Sequence, residues 1–116
     1  MQQSDRNVHV AWVTAMVEEG LQRSREGQAA GLLWEEVIAH CRKILAMQPS
    51  ARLLRLLGRG LLAKGQLDEA TAALCESVEL ERSGEDQAST YMYLAESLQR
   101  SGNRQGAIDA LKKSIH

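Results

Sequence analysis

Histidine and cysteine are the residue types in this chain best suited to metal binding, nucleophilic attack or proton transfer. The three histidines, His9, His40 and His116, are far apart in the sequence and fall in different predicted elements. His40 and Cys41 are adjacent, and neighbouring positions of a helix point about 100° apart, so these two side chains cannot face one site. We therefore expect each histidine to lie at the surface or at its boundary, and we expect no catalytic constellation.

The cysteines and glycines offer no other cofactor chemistry. Cys41 and Cys75 lie on or beside apolar helical stripes, which favours buried, reduced thiols. The sequence has no CxxC pair and no Cys/His ligand set, so we expect no metal. Gly58-Arg59-Gly60 lies inside a helical pattern and follows no strand, which argues against a phosphate loop. The sequence thus predicts a protein that is not an enzyme and holds no cofactor.

The most distinctive polar feature is a row of arginines. Arg52, Arg55 and Arg59 recur at intervals of three and four residues, which places them on one face of a predicted helix, opposite a stripe of leucines. Arginine suits carboxylate recognition because its planar guanidinium can donate two parallel hydrogen bonds. Two interpretations stay open: a solvated basic face that Glu96 partly neutralises, or a strip that accepts an anion in a binding groove.

The arginines belong to a segment that is repeated in the chain. Gly65 and Gly102 are 37 residues apart. The same offset pairs Ala70 with Ala107, Leu74 with Leu111, Leu57 with Leu94 and Leu61 with Leu98. Matching residues at one offset predict a repeated helical hairpin. We expect Gly65 and Gly102 to end helices in the left-handed conformation, and Gly58 and Ala70 to let neighbouring helices approach closely.

These two hairpins resemble the tetratricopeptide repeat family, whose pattern of about 34 residues is W-x2-L-G-x2-Y, then A-x3-F, then P. The earlier of the two is the second hairpin of the chain, and it supplies Leu54, Leu57, Gly58, Leu61, Gly65, Leu67, Ala70 and Leu74. The later one is the third hairpin, and it supplies Tyr91, Leu94, Ala95, Leu98, Gly102, Ala107 and Leu111. The chain departs from the pattern by leucine in place of aromatics, by the missing proline after the second repeat, and by about three extra residues around Ser83-Gly84-Glu85. Sel1-like repeats and an ordinary helical bundle with coincidental spacing are the alternatives.

The resemblance implies an all-α fold, a superhelical stack of about three antiparallel helix-turn-helix hairpins in a single domain over residues 1–116. The first repeat, about 8–48, is degenerate; the second covers about 50–83 and the third about 84–116. The composition agrees with all-α structure, since the chain is 44% hydrophobic but only 3% aromatic and has one proline.

The resemblance also implies a function. Members of this family bind a peptide or a partner helix in a concave groove. The match to the repeat pattern implies that Arg52, Arg55, Arg59 and Met92 line this groove. In some members, the positions of Arg55 and Arg59 hold the C-terminal carboxylate of a peptide. Glu96 falls at an equivalent position of the third hairpin, where it would repel a carboxylate or pair with an arginine. We expect a protein or peptide partner with an acidic segment or a C-terminal carboxylate, and a role as scaffold, co-chaperone or assembly factor.

Charge and hydropathy argue against other partners. The net charge of −1 provides no field that favours nucleic acid or an anionic membrane surface. No stretch approaches the roughly 20 apolar residues of a membrane span, and no signal peptide is visible, so we expect a cytoplasmic location. The alternative function is self-assembly: the apolar residues of the last helix, Ala107, Leu111 and Ile115, are followed by no capping helix, which would suit a homodimer. A regulatory domain excised from a longer protein is a further alternative.

Local patterns complete the predicted elements. A first helix is expected from about Val8 to Ser24 with Asn7 as its cap, followed by a loop. A second is expected from Leu32 to Met47. Its inward residues are Trp34, Val37, Cys41 and Ile44. Ser50 and Asn103 are predicted N-caps of later helices. Trp12 lies off the apolar stripe of the first helix, and either packs against the next helix or anchors a ligand in a groove.

Overall fold

The structure, a computed structural model, describes the chain from residue 2 to residue 115 and its side chains from residue 8 to residue 115. This part of the chain folds into α-helices without any β-strand, which confirms the all-α class. The helices are α1 (Gln2–Arg25), α2 (Gly31–Leu45), α3 (Ala51–Ala63), α4 (Leu67–Leu80), α5 (Gly84–Arg100) and α6 (Arg104–Ser114). The predicted surface position of His116 lies outside the described residues.

Glycines in the left-handed conformation end three of the helices. Gly65 and Gly102 have φ of +77° and +93°, as predicted, and Gly27 has φ of +74° at the end of α1. At Gly65, the N–H of Gln66 donates to the carbonyl of Leu61 at 2.9 Å, which satisfies one of the free carbonyls of the last turn. The connections after α3 and α5 are therefore only a few residues long, and each following helix packs on the one before it.

The side-chain caps confirm two of the predicted helix starts, whereas the predicted start of α1 was wrong. Ser50 Oγ accepts from the N–H of Leu53, and Asn103 Oδ1 accepts from the N–H of Gly106 at 2.9 Å. Helix α1 begins at Gln2 instead of about Val8, so Asn7 lies within the helix and is not its cap. The added residues contain neither glycine nor proline, and nothing in their backbone stops the helix.

Helix α3 lies at the centre of the packing. Each helix contacts its neighbour in sequence, and among the described helices the further contacts join α1 with α3 and α3 with α5. Helices α1, α3 and α5 therefore lie side by side. The molecule measures 41 × 35 × 21 Å. No helix of the described part has an apolar stretch long enough to cross a lipid bilayer.

Glycines in α3 allow the neighbouring helices α2 and α4 to pack closely against it, as the sequence predicts for Gly58. A Cβ added at Gly58 would lie 2.6 Å from Cγ of Leu74 in α4, and one at Gly60 would lie 3.2 Å from Cγ1 of Val37 in α2. The predicted small contact Ala70 is buried, and so are Ala95 and its counterpart Ala107 in the last hairpin. The predicted inward residues of α2 are buried as well, namely Trp34, Val37, Cys41 and Ile44.

One prediction of burial was wrong. Cys75 is exposed, because α4 buries Ala73 and Leu74 and the position after Leu74 points about 100° away. Cys41 is buried as predicted, and burial raises the pKa of its thiol to about 12. In α6 the inward side is formed by small residues, while Leu111 and Ile115 are 47% and 82% exposed, since none of the described helices covers that side.

Candidate functional site

A concave strip, which we call the α1–α3 groove, follows α1 where it packs beside α3. Its outer cavity, of about 440 Å³, is lined by Val10, Ala11, Thr14, Ala15, Glu18 and Arg52. A second cavity shares Ala15 and Glu18 with it and continues along α1 to Leu21. The inner cavity, of about 130 Å³, begins at Leu21 and is lined further by Trp34, Arg59, Leu62, Tyr93 and Glu96. Neighbouring cavities share lining residues on α1, and the name α1–α3 groove covers the three together.

The inner end of the groove contains Arg59, which has no ion-pair partner among residues 8–115. The guanidinium carbon of Arg59 lies 4.8 Å from the centroid of the Tyr93 ring, a cation–π contact that holds the side chain against α5. Within the described part of the chain, Arg59 makes neither a side-chain hydrogen bond nor an ion pair. Its five N–H donors are therefore available to a ligand.

Glu96 does not neutralise Arg59, although both line the inner cavity. Glu96 Oε2 pairs with Arg100 Nη1 at 3.6 Å, one helical turn further along α5. The same nitrogen of Arg100 donates to the carbonyl of Leu62 at 2.9 Å, near the C-terminus of α3. Glu96 thus pairs with an arginine, as one branch of the prediction stated, but the partner belongs to its own helix.

Trp34 and Leu62 form the apolar floor of the inner end, and each is only 4% exposed. The indole of Trp34 reaches this place because Gly20 of α1 leaves room for it. A Cβ at Gly20 would lie 2.6 Å from Cζ2 of Trp34. The role of Gly20 was missed from the sequence, since an isolated glycine in a helical pattern does not show which side chain packs against it.

The remaining predicted site residues are dispersed. Arg52 is exposed at the outer end of the groove. Arg55 is only 15% exposed in its side chain, donates to the carbonyl of Asp86 at 3.4 Å and lies 3.6 Å from the Asp86 carboxylate, so it joins α3 to the start of α5. Met92 is 59% exposed, one turn before Glu96, and lines none of the three cavities. The structure thus brings Arg52, Arg59 and Glu96 to one groove and leaves Arg55 and Met92 outside it.

A second polar cluster lies between α1 and α2, where His9 and His40, which are far apart in the sequence, meet. His9 Nδ1 and His40 Nε2 are 3.1 Å apart. Trp12 packs edge-on against His40, with ring centroids 4.1 Å apart, and remains 51% exposed outside the α1–α3 groove. Burial, followed by the nearby His9 and Lys43, lowers the pKa of His40. Sequence reasoning could not find this pair, because it depends on the register between two helices.

No protein-family model matches this chain, and no curated protein sequence does either. The described residues also contain no group of three or more His, Cys, Asp or Glu side chains placed to hold a metal ion. The function is therefore inferred from the geometry of the groove.

Proposed function

We propose that this protein is an interaction module without catalytic activity, and that it binds an extended peptide of a partner protein in the α1–α3 groove. The observation that carries the proposal is the guanidinium of Arg59, which has no hydrogen-bond or ion-pair partner among the described side chains and lines the same cavity as an apolar floor. A half-buried cation without an internal acceptor suits an incoming carboxylate, because charge-assisted hydrogen bonds are short and strong. The floor of Trp34 and Leu62 suits an apolar side chain next to that carboxylate.

The size of the groove sets the length of the ligand. From Val10 to Leu21 the lining follows α1 over roughly 16 Å, at about 1.5 Å per residue. An extended peptide covers about 3.3 Å per residue, so the groove accommodates about five residues. Arg52, at the outer end, lies about 10 Å along α3 from Arg59, by the same rise per residue. A ligand with an acidic group at each end of a short apolar segment would reach both arginines.

The proposal includes a tetratricopeptide-like architecture. Its support is the pairing of α3 with α4 and of α5 with α6 across left-handed glycines, together with the close contact at Gly58. The side-by-side contacts of α1, α3 and α5 also fit it, since the first helices of successive hairpins line the groove in that family. A role as scaffold, co-chaperone or assembly factor follows from such a groove.

A library of five-residue peptides with free C-termini tests the proposal. Peptides selected on the wild type are measured against the Arg59→Gln variant, which removes the charge, and against Arg82→Gln, which changes an exposed arginine that lines none of the three cavities. A hydrogen-bonded charge contributes about 1.5–3 kcal/mol, so Arg59→Gln should weaken binding by about 10- to 150-fold, and Arg82→Gln should not.

Two results would overturn the proposal. One is a selection that yields no peptide enriched above an immobilised control protein. The other is a set of selected peptides that bind the Arg59→Gln variant as tightly as the wild type. The bound carboxylate can be the C-terminus of the peptide or an acidic side chain, and amidation of the peptide's C-terminus distinguishes the two. Loss of binding indicates a C-terminal carboxylate, and retention of binding indicates an acidic side chain.

A second candidate function is self-assembly through α6, and one comparison within the chain favours it. Leu74 is 0% exposed, whereas Leu111, its counterpart in the repeat, is 47% exposed. Ile108 and Ile115, on the same side of α6, are 46% and 82% exposed. Sedimentation equilibrium tests this candidate: a mass that rises with concentration in the wild type and stays monomeric in Leu111→Ser would support it. A wild type that is monomeric at every concentration would exclude it.

A further inference from the structure

We propose that His9 and His40 form a binding site for a single divalent ion of the late first-row transition metals, such as Cu²⁺, Ni²⁺ or Zn²⁺, which joins α1 to α2. The site lies at the interface of these two helices, apart from the α1–α3 groove. It does not depend on the proposed peptide binding, and nothing in that proposal requires a metal.

The distance between the two ring nitrogens fits a shared ion. Imidazole nitrogens bind Zn²⁺ at about 2.0–2.1 Å. Two such bonds separate their nitrogens by about 2.9 Å at a right angle and by about 3.4 Å at the tetrahedral angle. His9 Nδ1 and His40 Nε2 are 3.1 Å apart, and the ring centroids are 5.0 Å apart at an angle of 49° between planes. The distance between the two nitrogens therefore falls within the range that a shared ion requires.

The chemistry of the pair also suits a metal. Neutral imidazole is the commonest protein ligand for these ions. When both rings are neutral, one facing nitrogen donates its proton and the other accepts it. Binding of the ion needs a lone pair on both facing nitrogens, so the donor ring carries its proton on its other ring nitrogen after exchange with water. The positive charge of Lys43 disfavours a metal ion bound nearby. Because Lys43 is exposed, solvent and salt screen that charge.

The surrounding packing holds the two rings in place before an ion binds. The His40 ring packs against both His9 and Trp12 of α1. The next residue, Cys41, is fully buried and anchors this turn of α2 in the core. Water completes the coordination, because the described residues offer no third ligand in a group with the two histidines. With only two protein ligands, Cu²⁺ should bind most tightly of the three ions, as the general stability order predicts.

The test is titration of the purified chain with CuCl₂ and, separately, ZnCl₂, followed by calorimetry and by tryptophan fluorescence. Three variants replace one histidine each: His9→Asn, His40→Asn and, as the matched control, His116→Asn. We expect the wild type and His116→Asn to bind one ion with equal affinity. His9→Asn and His40→Asn should each lower the affinity for the ion by more than about tenfold. Even residues that only contact a metal ligand contribute about 10- to 100-fold to metal affinity.

Fluorescence adds a local readout. Cu²⁺ bound at this pair should quench Trp12, and the Trp12→Phe variant should lose most of the quenching while it keeps its calorimetric affinity. If one histidine variant fails to fold, as checked by circular dichroism, the other still decides the result. Equal affinity of His9→Asn or His40→Asn and the wild type, or loss of the site in His116→Asn, would show adventitious binding and overturn the proposal. So would the absence of any bound ion in the wild type.

Discussion

The replacement of Gly58 by alanine tests whether the contact between α3 and α4 depends on the absence of a side chain. In an exposed helix interior this change stabilises by about 1 kcal/mol, because alanine has the higher helix propensity. Here the new Cβ would lie 2.6 Å from both Cγ and Cδ2 of Leu74, which is 0% exposed. Cγ is the branch point of that side chain, so rotation of its methyl groups cannot relieve the overlap.

Overpacking of this kind costs about 1–3 kcal/mol, which exceeds the gain in propensity over most of its range. We expect Gly58→Ala to lower the free energy of unfolding by up to about 2 kcal/mol and the melting temperature by about 4 °C for each kcal/mol. Gly84→Ala is the matched control. Gly84 is exposed in the first turn of α5, and a Cβ there meets nothing within 4 Å, so its variant should be at least as stable as the wild type.

Urea and thermal unfolding, both followed by circular dichroism, measure the two variants against the wild type. The reasoning is refuted if Gly58→Ala is as stable as the wild type or more stable. It is also refuted if Gly84→Ala loses as much stability as Gly58→Ala, because the loss would then not come from the overlap with Leu74.

Further predictions concern the tryptophan in the groove and the thiols. Gly20→Ala places a Cβ 2.6 Å from the ring of Trp34. The variant should therefore lower the free energy of unfolding by about 1–3 kcal/mol and shift the tryptophan emission. Unchanged stability and emission would contradict the close contact. A thiol reagent should modify Cys75 quickly and Cys41 only after denaturation; equal rates in the native protein would contradict the burial of Cys41. Burial raises the pKa of Cys41 from its ordinary 9.0 to about 12. As pH rises the unfolded chain therefore loses this proton first, and the free energy of unfolding should fall between these two values in the wild type but less in Cys41→Ala.

The local elements were largely predictable. Glycine at a helix end predicts the left-handed conformation, and Gly65 and Gly102 adopt it because L-residues with a side chain resist that conformation. Ser50 and Asn103 cap their helices because their side chains reach the free N–H groups of the first turn. The small residue Gly58 was predicted at a close contact, and Leu74 packs there.

The candidate site was predicted only in part, because side-chain partners depend on neighbours distant in the sequence. Arg52, Arg55 and Arg59 share one face of α3, yet their environments differ. Arg55 meets Asp86 at the start of α5, Arg59 lies over Tyr93, and Arg52 stays exposed. Spacing along one helix defines which residues share a face, but it does not show which neighbouring helix that face meets.

The sequence by itself determined the all-α class, the turns at glycine and the capped helix starts, since backbone conformation and hydrogen bonding within a few residues decide these features. Only the tertiary structure decided that His9 meets His40, that Gly20 makes room for Trp34, and that Arg59 packs over Tyr93. The physical reason is register. These contacts require two helices to pack at one particular offset and rotation, and the packing of all the buried side chains together fixes that arrangement.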